Sequence, residues 1–137
     1  MITVQNEIKA SIEKVWECWN APEHVTKWCF ASDDWHAPSA TNDLQIGSCF
    51  TTRMEAKDGS FGFDLKGIYD EIEMHKVIKY HLEDERKVEV YFSQYEGITT
   101  VTEHFDPENQ HPHEMQQQGW QAILNNFKKY VELIAAK

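Results

Sequence analysis

Lys14-Val15-Trp16-Glu17-Cys18-Trp19-Asn20-Ala21-Pro22-Glu23-His24-Val25-Thr26-Lys27-Trp28 is a tryptophan-rich helical stretch broken by a proline. Trp16 and Trp19 lie three apart, on neighbouring positions of one helical face, and Trp28 follows the break, so large rings converge from two short segments. Upstream, Ser11 stands where an N-cap belongs, before Ile12, Val15, Trp16 and Trp19, although Lys14 replaces the usual acidic partner three residues on. Asn20-Ala21-Pro22 ends this helix. Proline is well tolerated in a first helical turn, so Pro22 also opens a second short helix through Val25 to Trp28. Before the pair, Ile2 to Ile8 alternates as a strand, with Ile2, Val4 and Ile8 on one face and a polar interruption at Asn6.

Downstream, Ser32 to Thr41 shows no periodicity, carries Asp33, Asp34 and Pro38 around Trp35, and reads as a loop. Leu44, Ile46, Ser48, Phe50, Thr52 and Met54 then recur at strand spacing, with Gly47 where a bulge or close approach would sit. Lys57-Asp58-Gly59-Ser60 reads as a hairpin turn. Phe61 to Met74 is a strand whose buried side switches near Gly67, which predicts a bulge there. Lys76 to Leu82, Arg86 to Tyr95 and Ile98 to Phe105 are further strands, separated by Glu83-Asp84-Glu85 and Glu96-Gly97; such short turns imply antiparallel pairing. From Glu114 to about Ala135, Trp120, Ile123, Leu124, Phe127, Val131 and Ile134 recur at helical steps, a stripe that must pack on the sheet.

The 137 residues, 41% of them hydrophobic and five of them tryptophan, suit one domain (1–137) that buries roughly two-thirds of its unfolded surface. Neither a signal-like N-terminus nor an apolar run of membrane-spanning length occurs, so a soluble, cytoplasmic protein without membrane insertion is expected. Cys18, Cys29 and Cys49 are odd in number and form no C-x-x-C pair, which argues against a disulfide framework or a zinc ribbon and suits a reducing compartment. A formal net charge of −10 repels phosphate backbones, and nucleic acid is not an expected partner.

The order of strand, two short helices, a run of antiparallel strands and one long helix resembles the α+β helix-grip fold of the SRPBCC (START/Bet v-like) superfamily. Within it, the chain most resembles the family named after the activator of the ATPase of the 90-kDa heat-shock chaperone. The matching residues are Val15-Trp16, Asn20-Ala21-Pro22-Glu23, Lys27-Trp28, Leu44-Gln45-Ile46-Gly47-Ser48-Cys49-Phe50, Gly67-Ile68-Tyr69-Asp70-Glu71-Ile72, Thr99-Thr100-Val101-Thr102-Glu103-His104-Phe105 and Gly119-Trp120. The family often has two glycines where Gly47-Ser48 stands.

This resemblance implies a curved sheet gripping the long helix, with a cavity between them. Its candidate liners are Trp28, Trp35, Phe50, Phe63, Tyr69, Tyr80, Phe92, Trp120 and Phe127. Apolar concave pockets with few polar groups are the usual ligand sites, although rings at strand and helix spacing more often serve as core. Asp33-Asp34-Trp35-His36 would stand near an entrance.

No strong catalytic fingerprint is present, and neither a cofactor nor a metal is expected. His75, His81 and His104 are strand-region histidines, but Glu103 cannot easily orient His104 because adjacent strand residues point to opposite faces. His111-Pro112-His113-Glu114 has metal-like composition without a third ligand at a familiar interval, and the three cysteines sit in apolar or acidic company. Three functions compete. The first is binding of a small hydrophobic ligand; the second is a protein-interaction module of the chaperone-regulator kind; the third is a cyclase- or hydrolase-like enzyme. Exposed edges on the outer strands leave a homodimer open.

Overall fold

The computed structural model describes residues 1–136. Its elements are β1 (Ile2–Ile8), α1 (Ile12–Asn20), α2 (Pro22–Val25), β2 (Trp35–Asn42), β3 (Cys49–Ala56), β4 (Gly62–Glu73), β5 (Val77–Leu82), β6 (Lys87–Tyr95), β7 (Ile98–Phe105) and α3 (His113–Ala135). The strands form one antiparallel sheet in the order β1-β7-β6-β5-β4-β3-β2, curled into a half-barrel around α3. This is the α+β helix-grip arrangement. All pairs but β1–β7 join chain neighbours, so short turns account for the pairing of six strands. Among the described residues, no helix is long and apolar enough to cross a membrane.

The helix pair forms as the capping and proline signals require, but α2 ends at Val25, and residues 26–28, expected as helix, form a turn. Ser11 accepts a hydrogen bond from the backbone N–H of Lys14, and Ala21, extended at ψ 123° as a residue before proline must be, closes α1 and leads into α2. The tryptophans then converge on the core. Trp19 meets Trp28 at 5.1 Å between ring centroids, both pack on Phe127 of α3 at 5.0 and 4.7 Å, and Trp16 meets Phe92 of β6 at 5.1 Å. The indole N–H of Trp28 donates to the carbonyl of Cys18 at 2.9 Å, which satisfies the polar atom of a buried ring.

Edge strand β1 is held by α3 through side chains. Gln117 donates to the carbonyl of Thr3, Gln121 exchanges hydrogen bonds with the backbone of Gln5, and Glu132 accepts from the N–H of Lys9. Asn6, the polar interruption in the strand, donates to Asn125 at 2.7 Å. Outward backbone groups of Thr3 and Gln5 on this edge are therefore engaged by the helix.

Three expectations are corrected. Residues 35–42 are not loop but β2, an edge strand paired to β3, with Pro38 in the register shift between His36 and Ser39, where no ladder donor is needed. Leu44 to Ser48 is not strand but a turn: Gly47 adopts φ +87°, its N–H donates to Tyr69, and Ile46 points into solvent. The switch of buried side in β4 exists, but its bulge falls between Tyr69 and Glu71 rather than at Gly67.

Candidate functional site

A pocket of about 280 Å³ lies between the sheet and the helices. Phe50, Leu65, Tyr69, Ile78 and Tyr80 come to it from β3, β4 and β5, whose inward positions alternate with outward ones. Trp120 and Ile123 descend from α3, one helical turn apart. Trp19, Val25, Trp28 and Cys29 close it from the helix pair. Half-exposed Phe63 and Arg86 stand at its rim, and Asn42 bridges its edge, donating to the carbonyl of Asn20 at 2.8 Å and accepting from the Tyr69 hydroxyl at 2.7 Å.

One carboxyl interrupts the apolar lining among the described residues. Along β7, burial alternates so that Thr99, Val101, Glu103 and Phe105 face inward. Glu103 lies in a cross-strand row with Val4, Val90 and Ile78, all buried and apolar. It is 5% exposed, and burial pushes its carboxyl up to about 8 from an ordinary 4.5. Among the described residues its carboxyl has no hydrogen-bond partner, and desolvation is the only influence on its titration. Because among the described residues no fully enclosed side-chain polar atom lacks a partner, the Glu103 oxygens are reached from the pocket.

Neighbouring groups are held neutral by the same burial. The Cys29 thiol is pushed up to about 12, first by desolvation and then by the charge of Glu103. Desolvation, followed by Glu103 and Cys29, raises the Tyr80 phenol well above its usual value. Among the described residues Arg86 makes no ion pair with the acid; its Nε donates to Asp84 at 2.7 Å. The site is thus an apolar chamber with one carboxyl that prefers its proton at neutral pH, a group able to donate a hydrogen bond or to ionise against a cation.

Of the nine residues singled out from the sequence, Trp28, Phe50, Phe63, Tyr69, Tyr80 and Trp120 line the pocket. Phe92 and Phe127 lie deeper, packed with Trp19 and Trp28 in the core. Trp35 sits outside on β2, 6.0 Å from Phe61 and from Phe63, and approaches the pocket through that second ring. Glu103 was absent from those nine, although its phase with Val101 and Phe105 marks the inward face of a strand.

The histidines stand elsewhere. His104 faces out, bonded to Thr3 and edge-on to Tyr91; His81 pairs with Asp70 at 2.9 Å; His75 packs on Trp16. His111 bonds Glu108, and no group of three metal-ligating side chains comes together among the described residues. His24, between the Tyr130 hydroxyl at 2.6 Å and Glu17 at 3.2 Å, ties α2 to α3 and α1.

A family model described as Activator of Hsp90 ATPase homolog 1-like protein matches residues 9–132. Among solved structures, an AHSA1-like protein from Aeromonas hydrophila is 40% identical, with 99% of this chain and 96% of that one covered and a TM-score of 0.90. A protein from Cytophaga hutchinsonii is 51% identical over 97% of this chain and 92% of its own, at a TM-score of 0.83. A Nitrosomonas europaea protein, 18% identical over 97% and 94% of the two chains with a TM-score of 0.80, shares the fold. No curated protein matches the chain with significant similarity.

Proposed function

The chain belongs to the family of Activator of Hsp90 ATPase homolog 1-like proteins, within the SRPBCC superfamily, and from that premise we propose that it receives a small, largely hydrophobic molecule between the sheet and α3. The observation that carries this reading is the pocket of about 280 Å³, walled by rings and aliphatic side chains and containing a carboxyl with no partner among the described residues. A chamber serving packing alone would gain from filling that space and from replacing the acid with an apolar residue.

Native mass spectrometry of the purified protein, together with thermal shift against a panel of apolar compounds, tests this reading. Ligand that binds only the folded chain stabilises it by RT ln(1 + [L]/Kd), about 2.7 kcal/mol at a hundredfold excess over Kd. Finding no retained molecule and no stabilising compound across a broad panel would overturn it.

A second reading draws on the same carboxyl. An acid raised toward neutrality in an apolar pocket is the type of group that moves protons in cyclase- or hydrolase-like reactions. Turnover of a bound compound that is abolished by Glu103→Gln, with binding retained, would favour the enzyme over the receptor.

A further inference from the structure

We propose that the molecule held in this pocket carries a protonated amine, which Glu103 receives as a carboxylate among aromatic faces. The inference rests on the pocket being a binding site, as argued above, and names the chemistry of its occupant. Glu103 is 5% exposed, lies in a row with Val4, Val90 and Ile78, and has no hydrogen-bond partner among the described residues, yet its oxygens open on the pocket. An isolated buried carboxyl weakens the fold, and a ligand group that pairs with it removes that weakness.

The surrounding groups select a cation. Trp28, Trp120, Phe50 and Tyr80 bring ring systems to the pocket, and ring faces attract ammonium groups. Arg86 on the lining is paired through its Nε with Asp84 at 2.7 Å, which partly compensates its charge, and the Asn42 amide donates to the carbonyl of Asn20. A net charge of −10 also raises the local concentration of cations.

The titratable groups near Glu103 are Cys29, which follows α2, and Tyr80 on β5, both neutral at pH 7. Arg86, at the β5–β6 turn, is the charged group on the lining. The strands flanking Glu103 give it Val4 and Val90, and α3 brings Trp120 and Ile123 to the pocket, none of them ionisable. An entering ammonium therefore displaces the carboxyl proton into solvent, and its affinity rises with pH until the carboxyl is ionised.

Calorimetric titration with 2-naphthylmethylamine, 2-naphthylmethanol and 2-naphthoate, three probes with one ring system, distinguishes the outcomes. We expect the amine to bind tightest, with affinity increasing about tenfold per pH unit between pH 6 and 8 and with about one proton released per molecule at pH 7. Glu103→Gln should weaken the amine at pH 8 by about tenfold or more and leave the alcohol unchanged, whereas Glu103→Asp should retain the pH dependence. Equal, pH-independent binding of amine and alcohol overturns the amine inference and leaves the receptor reading standing. Failure of all three probes at every pH overturns the amine inference, and together with a blank broad panel it overturns the receptor reading as well.

Discussion

Trp120 lies flat on Phe105, with ring centroids 3.9 Å apart and planes 8° from parallel. Phe105 is fully buried at the end of β7, and Trp120 projects from α3 into the pocket, so one stack both seats the helix on the sheet and forms part of the pocket wall. Trp120→Ala is expected to cost about 3 kcal/mol, read as a lower urea midpoint at unchanged m-value. A loss under about 1 kcal/mol would mean that the Phe127 cluster alone holds α3.

Two glycines should respond in opposite directions. A β-carbon added at Gly67 would come within 2.7 Å of Tyr80 and collide with the Phe50 ring, whereas one added at Gly119 of α3 meets nothing within 4 Å. Gly67→Ala should therefore destabilise by about 1–3 kcal/mol, and Gly119→Ala should stabilise by up to about 1 kcal/mol through helix propensity. Equal effects in denaturant titrations would refute this account of β4.

Stability should fall as pH rises through the titration of Glu103. The carboxyl is raised from 4.5 to about 8 on folding, so between those values the folded chain holds a proton that the unfolded chain gives up. Its contribution is complete below about 4.5 and is lost by the time pH passes 8. Glu103→Gln removes this dependence, so its stability relative to the parent should improve by a few kcal/mol between pH 5 and pH 9. Parallel stability curves for the two proteins would show that Glu103 does not titrate abnormally.

Asn42 links three segments, β2 to the end of α1 through the Asn20 carbonyl and β2 to β4 through the Tyr69 hydroxyl. Asn42→Ala leaves that buried phenol without its acceptor and should cost about 1–3 kcal/mol. Adding Tyr69→Phe to that variant should cost less than Tyr69→Phe alone, a coupling that a double-mutant cycle measures. Strict additivity would contradict a direct bond.

Alternation made most of the sheet legible. In β7 every second residue from Ile98 to Phe105 is buried, and the sequence carries that pattern openly. Edge strand β2 escaped because it pairs on one side only and tolerates Pro38 at a register shift, so no apolar rhythm marks it. Leu44 and Ile46 alternate like a strand, yet the left-handed Gly47 and its bond to Tyr69 make a turn of them. For the pocket, ring positions were readable, but which rings line it and which fill the core depended on depth.

Local chemistry alone therefore settled the helix pair, the hairpin order and the amphipathic terminal helix, because caps, proline and residue periodicity act between near neighbours. Tertiary structure decided what stands opposite Glu103. A carboxyl on the inward face of a strand could have met an arginine, a helix end or another strand's amide. Only the curvature of the sheet around α3 left it facing open, apolar space, where desolvation governs its charge.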